Sequence, residues 1–300
     1  MACSIFNEHV ILQNLLEYAL FSLFSKIFCL AGFKRAHRFA PFLTFIFHDL
    51  LKLRRSVVMK NLAIAFPEMT ECERKALCRK CYISSAKTFI EIMTIPALKY
   101  SDIEPFISDE AVAIARRLHS RGKGLILLTA HFGNWELAAL GYARRIGVPI
   151  ATLTQPQRNG YITDWMETAR TKWGNKMLKT GNAAMTLFKA LRNGEIIGVV
   201  GDQRGPEDGL RVPFFGRMSA VNEGTALLGL RAGSPILFCF MVRNEDDTFQ
   251  IITREVSYDD LPESMPEKVA EVTRRHTALL EEYIRKYPDQ WFWMHNRWKY

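Results

Sequence analysis

A histidine and a carboxylate five positions apart, His131 and Glu136, flank a tight turn in Thr129-Ala130-His131-Phe132-Gly133-Asn134-Trp135-Glu136. An imidazole can take up a proton near neutral pH, and a carboxylate on its other nitrogen fixes the tautomer and supports the charge that forms. Two helical positions five apart diverge by about 140°, so this pair meets only if the chain turns between them. Gly133 permits the turn, and Asn134 as a helix cap would leave His131 outside the helix with Glu136 in its first turn. No serine or cysteine nucleophile adjoins the pair in sequence. The chemistry it would do is removal of a proton from a hydroxyl brought by the substrate, followed by direct group transfer, with the amides of the 132–134 turn or a nearby arginine holding the oxyanion. Alone, the pattern is also what a helix-capping histidine and a dipole-complementing acid look like.

The apolar run 124–129 predicts a buried strand before the histidine, and 135–146 a helix closed by Gly147. Further strands are expected at 149–153, 177–180, 195–201 and 234–242, alternating with helices at 161–173, 183–192 and 221–232. A strand at 249–256 and a long helix at 266–287 follow. Upstream, Thr70-Glu71-Cys72-Glu73 is a capping box opening a helix that Pro96 ends, and a second helix runs from Ser108 to Arg121. The fold class is α/β: a largely parallel, mixed central sheet flanked by helices, with an N-terminal membrane-associated helical segment. In such sheets ligands sit beyond the strand ends, and the strand at 195–201 delivers Asp202 and Arg204 to the edge that carries His131.

The chain has 300 residues with 48% hydrophobic and 24% charged content, enough to bury a core and unlike a disordered protein. A net charge of +9 calls for an acidic partner: nucleic acid, an anionic membrane, an acidic carrier protein or a phosphorylated substrate. Six cysteines (Cys3, Cys29, Cys72, Cys78, Cys81, Cys239) lack framework spacing and read as reduced thiols; the Cys78/Cys81 pair reads as buried small hydrophobes, not a zinc or redox site. From Val10 to Phe33 only Gln13, Asn14, Glu17 and Lys26 interrupt an apolar run, which fits an interfacial helix, a tilted span or a buried soluble helix pair with the second apolar run at 39–51. Between residues 34 and 80 stand eleven Lys or Arg against four acids, a flank suited to anionic lipid. The C-terminal tail puts five aromatic residues after Pro288 around His295, Arg297 and Lys299, which fits a membrane interface, a site wall or a plug over the core. These features divide the chain into an anchoring segment, 1–52, and a main domain, 53–300.

The stretches RRSVVMKNLAIAFPE (54–68), HFGNWE (131–136), GDQRG (201–205), VPFFG (212–216) and QWFWMHNRWK (290–299), in this order, resemble the bacterial lipid A late acyltransferases of the lysophospholipid acyltransferase superfamily. The resemblance implies that His131 and Glu136 are the catalytic residues and that 53–300 is an acyltransferase domain. It also implies transfer of a fatty acyl chain from acyl carrier protein or acyl-CoA to a hydroxyl of a lipid A precursor, with no covalent acyl-enzyme. Arg158, Arg170, Asp202, Arg204, Phe214 and Phe215 are assigned to the substrate: the arginines as forks for phosphate, Asp202 as their orienter, the phenylalanines as walls of an acyl groove. The family's usual acidic or amide residue after Asp-Gln is Arg204 here, a departure on the acceptor side. No cofactor or metal is expected beyond the acyl donor, and the expected partners are acyl carrier protein, anionic membrane lipid and a glycolipid acceptor, with no nucleic acid, for a monomer on the cytoplasmic face of the inner membrane. A superfamily enzyme acting on another glycolipid, an ornithine lipid or a lysophospholipid is the alternative, and a non-catalytic membrane or nucleic-acid binding protein the more distant one.

Overall fold

The computed structural model describes residues 2–153, 157–178 and 183–300, with side chains from residue 10 onward. Six strands form the central sheet: β1 (Leu125–Thr129), β2 (Ile150–Leu153), β3 (Lys176–Leu178), β4 (Ile196–Val200), and, after a separate hairpin of β5 (Arg211–Phe214) and β6 (Arg217–Ala220), β7 (Ile236–Arg243) and β8 (Phe249–Val256). Their order is β3-β2-β4-β1-β7-β8, parallel except for β8, which pairs antiparallel with β7. The sheet is thus largely parallel and mixed at one edge. The expected strand at 177–180 is seen as Lys176–Leu178, its last two positions lying outside the described residues.

Leu-Ile-Leu-Leu of β1 and Ile-Leu-Phe-Cys-Phe-Met-Val of β7 are continuous apolar runs because the sheet is covered on both faces. Side chains alternate between those faces. Ile126, Leu128, Phe238 and Phe240 join one core, and Leu125, Leu127, Leu237 and Met241 the other. The helices, in chain order, are α1 (Ala2–Ala31), α2 (Phe33–Ala36), α3 (Ala40–Thr44), α4 (Arg55–Ala65), α5 (Glu71–Thr94), α6 (Asp109–His119), α7 (Trp135–Ile146), α8 (Gly160–Thr171), α9 (Ala183–Arg192), α10 (Gly224–Ala232) and α11 (Met265–Lys286). Residues of α4, α9, α10, α11 and the tryptophans of the C-terminal tail fill the first core, and residues of α6, α7 and α8 the second.

The capping box at the start of α5 forms as expected, Glu73 N donating to Thr70 Oγ1 at 3.3 Å and Thr70 N to Glu73 Oε2 at 2.7 Å. Removing the cap in Thr70→Ala is expected to cost about 1 kcal/mol, which differential scanning fluorimetry would read as a fall of roughly 2 °C in Tm. Cys78 and Cys81 lie inside α5 and are buried; burial pushes the Cys78 thiol up to about 11 and Cys81 well above the usual thiol range, so neither is a ready nucleophile. Among the described residues no group of three or more His, Cys, Asp or Glu could hold a metal ion.

One side of α1 is docked and the other is bare. Ser25 Oγ donates to Met93 O at the end of α5 (2.8 Å), Asn159 Nδ2 to Asn14 O (2.8 Å), and Phe21 packs edge-on to Trp165 of α8. Leu12, Leu16, Leu20, Leu23 and Leu30 are exposed, as are Phe42 in α3, Phe45 in the π-helical turn Phe45–Leu50, and Leu51. Val10–Ala31 is long and apolar enough to cross a membrane, and 11% of its apolar window is buried. A buried soluble helix pair would have hidden these leucines, so that reading of the apolar runs is set aside, and the exposed helix supports membrane association.

Candidate active site

The strand register builds the site. β1 and β4 are parallel neighbours with Thr129 opposite Val200, so the residues two positions beyond each strand, His131 and Asp202, emerge side by side. His131 Nδ1 lies 2.8 Å from Asp202 Oδ1, and the His131 amide donates to Oδ2 at 3.1 Å. Trp291 of the C-terminal tail donates Nε1–H to the same Oδ2 at 2.8 Å. Burial of Asp202 disfavours its charge, but His131 and Trp291 outweigh this and hold its pKa below the usual carboxylate value. An ionised carboxylate only accepts, so the hydrogen sits on Nδ1, and Nε2 is left as the basic atom. Burial works against the imidazolium too, yet the Asp202 charge and hydrogen bond, with a smaller contribution from Glu136, raise the His131 pKa. The ring is a quarter exposed and rests near Trp135 and Phe292, with centroids 5.0 and 6.2 Å away.

Glu136 is not the histidine's partner. Asn134 caps α7 as expected, its Oδ1 accepting from Leu137 N at 2.9 Å, but the first turn of that helix carries Glu136 toward α8. There Arg170 grips it with Nε to Oε2 at 2.9 Å and Nη2 to Oε1 at 2.5 Å, and Trp135 Nε1 donates to Oε1 at 3.2 Å. The carboxylate a histidine needs is supplied by the neighbouring strand end. Burial tends to lower the Arg170 pKa, and the Glu136 carboxylate more than restores it.

The turn amides are not free for an oxyanion. Phe132 N bonds to Ala130 O (2.7 Å), Gly133 N to Gln290 O (2.9 Å) and Asn134 N to Met241 O (3.0 Å), because the turn is laced to β7 and the C-terminal tail. Gly133 is required by that lacing: its φ is +54°, and a Cβ there would stand 2.0 Å from Met241 O. Around the turn, the Trp135 and Glu136 amides at the N-terminus of α7 and Arg170 Nη1 have no hydrogen bond among the described residues.

Three other assigned residues sit elsewhere. Arg158 is exposed and pairs with Glu17 of α1. Phe214 and Phe215 are buried, because β5 and β6 fold them into a hairpin under Trp291, Trp293 and Trp298; Phe215 and Gly216 form its two-residue turn with φ of +52° and +71°. They pack the core and do not wall an open groove. Arg204 donates Nη1–H to Asn296 O at 2.9 Å and lies over the Tyr300 ring at 4.8 Å, which ties the C-terminal tail down beside Asp202. The tail is a plug over the core that also reaches the site, and Trp291, unassigned from sequence, is the residue through which it does so.

Beside His131 lies a small open cleft lined by Ser84, Ser85, Thr88 and Phe89 of α5 with Trp135 and Phe292. Among the described residues no hydroxyl or thiol hydrogen-bonds His131; Thr88 donates to Gly133 O (2.9 Å) and Ser84 accepts from Arg243 (3.5 Å). A histidine oriented by a buried aspartate at the strand ends of an α/β sheet, its ring lining an open cleft, can deprotonate a bound hydroxyl.

Residues 7–300 match the family of bacterial lipid A biosynthesis acyltransferases. The chain belongs to that family and is an acyltransferase of lipid A biosynthesis. It is 29% identical over 259 residues to the lipid A biosynthesis lauroyltransferase of Escherichia coli (strain K12), covering 83% of this chain and 80% of the relative. It is 25% identical over 253 residues to the lipid A biosynthesis palmitoleoyltransferase of the same strain, with 83% and 80% covered. To the myristoyltransferase of that strain it is 21% identical over 242 residues, with 80% and 73% covered.

Proposed function

We propose that this enzyme moves a fatty acyl chain from an acyl carrier protein or acyl-CoA thioester to a hydroxyl of a lipid A precursor, with His131 as general base and no acyl-enzyme. His131 Nε2 removes the acceptor hydroxyl's proton as its oxygen attacks the thioester carbonyl. The tetrahedral oxyanion is met by the α7 N-terminal amides and by Arg170, which Glu136 holds. The C–S bond then breaks, and the imidazolium returns its proton to the leaving thiolate. Asp202 keeps Nδ1 protonated and supports the imidazolium throughout. General-base help of this kind supplies about 10² to 10⁴ in rate. Arg158, Phe214 and Phe215 take no part in the transfer, and Arg204 acts through the tail.

The observation that carries the reading is the His131–Asp202 pair beside a cleft built on α5, the helix against which the exposed apolar segment rests. A lipid acceptor held in a membrane meets the site from that segment, and the basic residues of 34–80 suit both an anionic leaflet and an acidic carrier protein. The membrane is the inner membrane, with the domain on its cytoplasmic face, where acyl thioesters are made.

The test is acyl transfer by the detergent-solubilised protein from an acyl-carrier-protein or acyl-CoA thioester to a lipid A precursor, read by mass spectrometry as one added acyl chain. Absence of product with every donor would overturn the assignment. Ser85 shares the cleft and is the one lining hydroxyl that could compete as a nucleophile. Ser85→Ala is therefore expected to keep kcat within about threefold, and the quenched wild-type enzyme to show no acyl adduct in its intact mass; an adduct lost in Ser85→Ala would replace direct transfer with a covalent route.

A further inference from the structure

The turn that carries His131 is held from behind by charges the mechanism above does not use. Glu91 on α5 is fully buried, and three side chains converge on its carboxylate. Arg243, at the end of β7, clamps it with Nε to Oε1 at 2.9 Å and Nη2 to Oε2 at 2.6 Å. Asn134 donates Nδ2–H to Oε2 at 2.7 Å, and His37 Nε2 stands 2.7 Å from Oε1. Thr88, one turn earlier on α5, accepts from Arg243 Nη2 at 3.1 Å and donates to Gly133 O. Burial opposes the Glu91 charge, and Arg243 and His37 together overcome it and keep its pKa low.

His37 is the one member of this group that comes from the N-terminal segment. It lies in the single turn His37–Phe39 between α2 and α3, is buried, and has its second nitrogen, Nδ1, 3.2 Å from Asp247 Oδ2. Asp247 in turn pairs with Lys87 of α5 at 2.5 Å. The path from the apolar segment to the catalytic turn is therefore two contacts long: His37 to Glu91, and Glu91 to Asn134. Asn134 is the residue that caps α7 and precedes Trp135, so its placement sets both the α7 amides and the exit direction of the His131 turn.

We propose that docking of the N-terminal segment positions the catalytic turn, with His37 acting through Glu91 on Asn134, so that the part of the chain that meets the membrane also completes the support of the acyl-transfer site. This rests on the acyl-transfer reading. His37 touches no reacting atom and is a positioning residue. A misplacement of about 1 Å at a reacting group can cost on the order of 10² in rate, so loss of one of the two side chains that hold Asn134's anchor should appear in kcat and not in substrate affinity.

The experiment compares His37→Leu, His37→Gln and Asp247→Asn with the wild type in detergent micelles, with kcat and KM for the acyl donor normalised to folded protein and Tm measured in parallel. His37→Leu is expected to lower kcat by about 5- to 20-fold with KM within twofold. His37→Gln, which keeps a donor toward Glu91, is expected to recover most of that loss. A merely structural histidine would lower Tm and leave kcat per folded molecule unchanged, and that result overturns the proposal. Should His37→Leu not fold, His37→Gln and Asp247→Asn decide: a fall of about two- to fivefold in kcat for Asp247→Asn supports it, and wild-type kcat in both sinks it. A wild type inactive in the same assay would instead strike the acyl-transfer reading itself.

Discussion

Asp202→Asn is expected to lower kcat by about 10³- to 10⁴-fold while the protein folds and binds its donor with near-normal KM. An asparagine can donate its amide hydrogens to His131 Nδ1, and the imidazole then carries its proton on Nε2, the atom that must accept one. His131→Ala removes the base outright and should lose a similar factor. The double variant should be no worse than the worse single one, since the two residues act as a unit. The pH dependence separates this account from the alternative pairing. Burial lowers the His131 pKa while Asp202 raises it by charge and hydrogen bond, for a net upward shift. Activity needs the neutral ring, so it falls as pH drops through that pKa. Without Asp202 burial prevails, and the acid limb of the kcat/KM profile should move to lower pH in whatever activity remains. Were Glu136 the true partner of the imidazole, Asp202→Asn would keep kcat within about tenfold and leave the acid limb in place.

That choice of partner marks where sequence and structure part. His131, the strand before it, the Asn134 cap and the helix to Ile146 were all legible, because each is local: an apolar run, a glycine, a capping residue, then helical periodicity. Glu136 offers itself on equally local grounds, a carboxylate that the Gly133-Asn134 turn could fold back onto the ring and that the HFGNWE motif contains. The acid nearest in space is 71 positions away, and it arrives through the pairing of Thr129 with Val200, a register that no short window of residues encodes. Asp202 was placed at the correct sheet edge, since a strand ending in Gly201 must deliver it there, but what it would meet depended on which strand lay beside which.

The aromatic residues failed differently. Phe214 and Phe215 between a proline and a glycine fit a groove wall and a core equally well, and the packing of Trp291, Trp293 and Trp298 over them decides for the core. The Glu91–Arg243 pair joins residues 152 apart, and its one local sign was an acid inside the apolar run Phe89-Ile90-Glu91-Ile92-Met93. A charge in such a run has to find a partner inside the fold, which is a signal of burial without an address.

Glu136 keeps a large role in this geometry through Arg170. The bidentate grip fixes the guanidinium with Nη1 uncommitted, and it sets a negative and a positive group in the field of His131 with opposite effects, Glu136 raising the ring's pKa and Arg170 lowering it. Glu136→Gln and Arg170→Gln should therefore each reduce kcat by about 10²-fold, the scale of losing one oxyanion donor, and yet displace the acid limb in opposite directions: to lower pH without Glu136, to higher pH without Arg170. Arg170→Lys should rescue little, because an ammonium cannot hold a carboxylate with two nitrogens and keep a third in place. The double variant should return the limb close to its wild-type position, the two field effects cancelling, while kcat stays at the level of the single variants. Profiles of kcat/KM against pH for the four proteins supply the check. Limbs moving the same way, or Glu136→Gln within threefold of wild-type kcat, would reduce the pair to a structural ion pair and leave the oxyanion to the amides of Trp135 and Glu136 alone.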